Sequence, residues 1–120
     1  MGLVMNVKVK RIYDQPDKTD GYRILVDRLW PRGLKKERAS IDLWLKDIAP
    51  SHELRKWFSH EQQRWPEFKD RYFQELRKKS DSVELIREKA KRGKVTLVYG
   101  AKDEQFNNAV CLREFIYTDD

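Results

Sequence analysis

The sequence predicts a single α/β domain spanning residues 1–120, with a small, mainly parallel β-sheet flanked by helices. Three observations predict it. Two apolar, β-branched runs, Tyr22 to Arg28 and Val95 to Tyr99, are each followed by helical patterning. A long helical stretch separates them, the crossover that parallel pairing requires. The chain of 120 residues, 39% apolar and 12% aromatic, is long enough to bury a core without disulfides or metal.

The first strand is Val7 to Tyr13, where Val7, Val9 and Ile12 alternate imperfectly with Lys8, Lys10 and Arg11. One wet face places it near a sheet edge. Asp14 to Gly21 follows as loop, with Pro16 lacking a donor and Asp20-Gly21 favouring a positive φ. Tyr22 to Arg28 is the second strand, and its continuous apolar centre predicts burial on both faces.

Helical spacing begins after Gly33. Ile41, Trp44, Leu45 and Ile48 fall at i, i+3, i+4 and i+7, predicting a helix with Ser40 as N-cap and Pro50 as its end. Ser51 caps a second, short helix whose inward side is Leu54, Trp57 and Phe58. Pro66 suits the first position of a third, lined on one side by Trp65, Phe68, Tyr72 and Leu76. Asp81 and Glu84 have capping-box spacing for a helix over Ser82 to Arg92, with a core stripe of Val83, Ile86 and Ala90 and with Gly93 as a left-handed C-cap. Val95 to Tyr99 is the third strand. A last helix follows, with Asp103 as N-cap and Ala109, Leu112 and Ile116 facing in. The order amounts to a Rossmann-like layering without internal repeats.

Composition excludes several function classes. No apolar run approaches the roughly 18 residues of a membrane span, and Met1 to Lys10 has no signal-segment pattern, so the expectation is a cytoplasmic protein without membrane association. The single cysteine, Cys111, lies mid-helix beside Leu112 as an inert packing residue. His52 and His60 read as solvated side chains, no Cys/His group has zinc spacing, and neither metal nor cofactor is expected. The serines occupy cap or loop positions outside any nucleophile elbow, and Gly33 and Gly100 stand apart from any phosphate-binding glycine loop.

The charge distribution points to one place. Net charge is +6, and its excess lies in residues 1–60, with 13 Lys and Arg against 8 Asp and Glu. Arg28, Arg32, Lys35, Lys36 and Arg38 face only Glu37 there. With parallel pairing, the carboxyl ends of the second and third strands adjoin, where open α/β sheets collect ligands. Asp27, Arg28 and Arg32 would then share a rim with Lys102, Asp103 and Asn107.

Three functions fit that rim. In the first, a pocket takes a small phosphate- or carboxylate-bearing ligand on Arg28, Trp30, Arg32, Lys102, Asp103 and Asn107, with Asp27 available as general acid or base. In the second, Arg28, Arg32, Lys35, Lys36 and Arg38 bind nucleic acid, although no helix-turn-helix, RNP or zinc-finger spacing is present. In the third, the protein is structural: Asp27 pairs with Arg32 or a backbone N–H, Trp30 plugs the core, and no cavity opens beside them.

Asp20-Gly21-Tyr22-Arg23, LVDRLWPRG (Leu25 to Gly33), Trp44, IAPS (Ile48 to Ser51), ELRKWF (Glu53 to Phe58), Tyr72 and VTLVYGAKD (Val95 to Asp103) together resemble the YeaO-like family of small bacterial proteins across nearly the whole chain. The family motif maps onto Asp27, Arg28, Trp30, Pro31, Arg32, Gly33, Lys102 and Asp103. The family carries no assigned activity, so the resemblance implies no catalytic role for these positions. Its members usually read Asn-His-Ala where this chain has Asn107-Asn108-Ala109. Any acid–base role of that histidine therefore does not carry over.

Overall fold

The structure, a computed structural model, describes residues 5–118. Among these, four strands form one all-parallel sheet: β1 (Val7–Arg11), β2 (Tyr22–Leu25), β3 (Leu43–Trp44) and β4 (Val95–Tyr99), in the order β1-β4-β2-β3. The helices are α1 (Lys36–Ala39), α2 (His52–Phe58), α3 (Trp65–Arg77), α4 (Ser80–Arg92) and α5 (Asn108–Thr118). The predicted α/β class holds, and β1 lies at an edge. β2 and β4 adjoin in register, with Leu25 opposite Val98, so their carboxyl ends are neighbours.

The two faces of the sheet are covered unequally. One face carries Val7, Ile24, Val26, Val95, Leu97 and Tyr99 into a large core with α2 to α5, centred on residues such as Tyr72, Leu76, Ile86 and Leu112 that are fully buried. The opposite face is split along its length. Near the amino ends of the strands, buried Asp20 accepts from Lys8, Lys10 and Arg23. Near the carboxyl ends, Ile12, Leu25, Ala39 and Val98 form a small apolar cluster covered by Trp30, Leu34, Ile41 and Trp44.

Several elements depart from the sequence reading. The predicted helix over Ile41 to Ile48 does not form; β3 and a 3₁₀ turn at Lys46–Ile48 occupy that stretch, preceded by α1. Ser40 ends α1 in the left-handed region at φ 51° instead of starting a helix. The cause is the open edge of β2. Buried Arg23 donates from its guanidinium to the carbonyls of Ser40 and Ala39 and from its backbone to the Asp42 carboxylate, while Leu45 N–H bonds Leu25 O. These bonds hold the chain from Ala39 to Leu45 against β2, with Leu43–Trp44 extended as β3, and override the helical spacing.

Boundaries shift elsewhere too. β1 and β2 end earlier than expected, at Arg11 and Leu25. α4 begins at Ser80, ahead of the proposed Asp81 box, and Gly93 has φ 176°, plain extended backbone leading into β4. Asp103 does not cap α5; its carboxylate accepts from Gln105 and Phe106 N–H to close a turn, and Asn107 accepts Val110 N–H at the helix start instead. Ser51 does cap α2, and Pro66 stands in the first turn of α3 as predicted.

Candidate functional site

Asp27 follows β2 directly, and its carboxylate spans to the end of β4. Gly100 N–H donates to one oxygen at 2.8 Å, and the Asn108 amide donates to the other at 3.0 Å. The same Asn108 nitrogen also reaches Val26 O at 3.2 Å. Asp27's own carbonyl accepts the Trp44 indole N–H at 2.8 Å. One residue thus ties together β2, β3, β4 and α5. Burial pushes its carboxyl above the usual aspartate range, against the opposing pull of Asn108, Gly100 N–H and the Arg55 guanidinium.

Beside Asp27 lies a cavity of about 260 Å³. Asp27, Arg28, Arg55, His60 and the Asn107–Asn108 pair make its polar wall, and Ala49, Phe58, Phe68 and Phe106 are among its apolar residues. The aromatic part is stiffly packed. Phe58 and Phe68 lie 4.5 Å apart between ring centroids, Trp65 stacks on Phe68 at 5.5 Å, and Phe106 meets Trp65 edge-on at 5.3 Å. At the mouth, Leu29 is 70% exposed.

Two features of this wall stand out physically. The Arg55 Nε is buried and has no hydrogen-bond partner. Leaving a buried donor unpaired costs about 1–3 kcal/mol, more for a charged group. Secondly, Ser59 and His60 both sit at positive φ, 46° and 59°, a left-handed pair without glycine. Such backbone costs on the order of 1–3 kcal/mol per residue and gathers at ligand sites. Here it turns the chain out of α2 and sets His60 in the cavity wall.

The structure divides the residues singled out from sequence. Asp27, Arg28 and Asn107 line the cavity. Asn107 is buried with both ends of its amide engaged, on Val110 N–H and Asp103 O. Trp30 faces the second cluster, donating to Leu34 O and meeting Trp44 edge-on at 5.4 Å. Arg32 is exposed, and its carbonyl accepts from Tyr13. Lys102 is exposed as well. Asp103 is taken up by its turn, where the Phe106 and Gln105 N–H groups hold its carboxyl below the usual range.

Sequence reasoning missed Arg55, His60, Asn108 and the phenylalanines. Phe58 and Phe68 already stood on inward helical stripes, and ELRKWF contained Arg55, but a cation one position from buried Leu54 reads as solvated. His60 carried no signal at all, because its place depends on a backbone angle.

The fold and the site define a small, parallel α/β protein with a half-apolar, arginine-bearing cavity at the carboxyl ends of its central strands. No helix among the described residues is long and apolar enough to cross a membrane. The chain belongs to the family described as "Inactive DUF488-N3 subclade", whose model matches residues 6–119. It is 43% identical over 112 residues to "Uncharacterized protein YeaO" of Escherichia coli, covering 93% of this chain and 97% of that one. It is 39% identical over 110 residues to "Uncharacterized protein Rv3073c" of Mycobacterium tuberculosis, covering 92% of each. No solved structure matches the chain.

Proposed function

We propose that the cavity binds a small anionic ligand, carrying a carboxylate or phosphate, on Arg28 and Arg55, and that it does so without turnover. Arg28 and Arg55 standing in one wall carry this reading, since a guanidinium fork pairs with two oxygens of a carboxylate or phosphate. Asp27 acts as support. Both its oxygens accept hydrogen bonds, from Gly100 and Asn108, so in this reading it orders the strand ends. Asn108 points the same way: where the family resemblance leads one to expect histidine, a carboxamide keeps a donor on Asp27 but cannot exchange a proton. The subclade's description as inactive agrees with binding alone.

A thermal-shift series with inorganic phosphate and small carboxylates tests this on wild type, Arg55→Leu and Arg32→Ala. The expected result is a rise in Tm for wild type and Arg32→Ala that is lost in Arg55→Leu. Equal rises in wild type and Arg55→Leu would count against the pocket. A nucleic-acid reading has one observation in its favour: Arg28, Arg32, Lys35, Lys36 and Arg38 are all exposed on the segment after β2. It requires duplex affinity falling with salt by a slope of about 0.9 per neutralised phosphate, indifferent to Arg55→Leu.

A further inference from the structure

We infer that the ligand is a monocarboxylate on a flat apolar body, an aryl or arylalkenyl carboxylate of benzoate or cinnamate size, and not a phosphate ester. The inference rests on the anion-binding reading and narrows it.

Size comes first. At about 260 Å³ the cavity lies below the roughly 300–1,000 Å³ of sites for drug-sized ligands. A single ring bearing a carboxylate fits within it. Shape comes next. Phe58, Phe68 and Phe106 belong to one aromatic cluster whose members hold each other at 4.5 to 5.9 Å between centroids, so the apolar wall is preformed. Such a wall suits a ring presented face-on or edge-on. Ala49, Pro50 and Ala101 complete it without adding polar side chains.

Charge selects the head group. The wall carries the cations Arg28 and Arg55 and the acid Asp27. Donors face both oxygens of Asp27, the arrangement an ionised carboxylate requires, which leaves the wall one unit positive. A monoanion neutralises it; a phosphomonoester dianion overshoots.

The hydrogen-bond inventory agrees. Both amide donors of Asn108 are used on Val26 O and Asp27, and Asn107 is engaged at both ends. What remains to greet the ligand is guanidinium, whose planar fork matches the two oxygens of a carboxylate. The left-handed Ser59-His60 pair seats His60 in the same wall.

Calorimetric titration of the full chain with benzoate, trans-cinnamate, acetate, benzamide, inorganic phosphate and phenyl phosphate tests the inference. Benzoate or cinnamate should bind at least about tenfold more tightly than acetate, which lacks the ring, and benzamide, which lacks the charge. Arg55→Leu and Phe106→Ala should each weaken it by about tenfold or more. If phosphate or phenyl phosphate binds as tightly as benzoate, the inference falls and the anion-binding reading stands. If benzamide equals benzoate, or if none of the anions binds, both fall. The ligand series on wild type decides the matter even if a variant fails to fold.

Discussion

Asp20 and Asp27 stand at opposite ends of the second strand and answer burial in opposite ways. Around Asp20, burial works to raise the carboxyl, but the Asp17 N–H and the Lys10, Arg23 and Lys8 side chains outweigh it and hold the group at about 2 instead of 3.8. A carboxyl whose folded pKa is depressed contributes stability above its unfolded pKa and loses it as pH falls through the folded value. Asp20 therefore contributes about 2 kcal/mol at neutral pH, lost between pH 4 and 2. Urea unfolding at stepped pH should show this loss in wild type, and Asp20→Asn should be less stable at pH 7 with a flatter acid limb. An acid limb that is the same in both proteins would refute the assignment. For Asp27 the sign reverses, because burial raises its carboxyl: its contribution is full below the usual aspartate value and declines as pH rises through the folded value.

These two residues also mark what the sequence revealed at this scale. An acid ending an apolar strand is a readable signal, and Asp27, Arg28 and Asn107 do border one cavity. Arg55 and His60 were not readable. One owes its place in the wall to tertiary packing, the other to a positive φ, and neither leaves a mark in residue order. Trp30 read as core plug more readily than as ligand platform, and its indole lies against Trp44 and Leu34 O.

At the scale of elements, strands and the longer helices were legible because their apolar spacing agrees with what they bury. β4 is buried throughout, and Ser51 and Pro66 mark helix starts as expected. The exception is β3, whose residues carry a helical stripe yet lie extended. Helical spacing over about two turns is weak against the hydrogen bonds that Arg23 and Leu25 make to this stretch. Turns give a sharper test. Gly21 has φ +66°, and a Cβ there would lie 2.3 Å from Lys94 O, the carbonyl that Tyr22 N–H bonds. Gly33 has φ +78° with open space around it. Gly21→Ala should therefore cost more than about 2 kcal/mol, clash added to strain, and Gly33→Ala only about 1 kcal/mol, in urea unfolding. Equal costs would mean that the close approach at Lys94 relaxes freely.

Over the whole molecule, the unequal covering of the sheet predicts unequal opening. The central strand β4 lies between β1 and β2 and packs on both faces. β3 has two residues, and the segment before it is largely exposed. Amide exchange should be slowest at Val95 to Tyr99, by roughly a hundredfold relative to Leu43, Trp44 and the 27–35 segment. Uniform protection would contradict a sheet held mainly by its one thick side. Chain order alone indicated parallel pairing and neighbouring strand ends. It did not indicate that one face would be split between an ionic and an apolar half, since that division depends on which strand lies beside which.

The edges of the sheet bear on how the protein behaves in crowded solution. An open parallel sheet has two flanks onto which a strand from another chain could add, the first step toward aggregation. β3 offers a flank only two residues long. On the other flank, the first N–H of β1, at Val7, is taken by the Tyr117 hydroxyl from α5, and Lys8, Lys10 and Arg11 follow along the strand. A neighbour approaching in extended form meets a short ledge on one side and a row of cations on the other. Lys8 and Lys10, which hold Asp20 inside, thus also lie along the flank where a foreign strand would have to add.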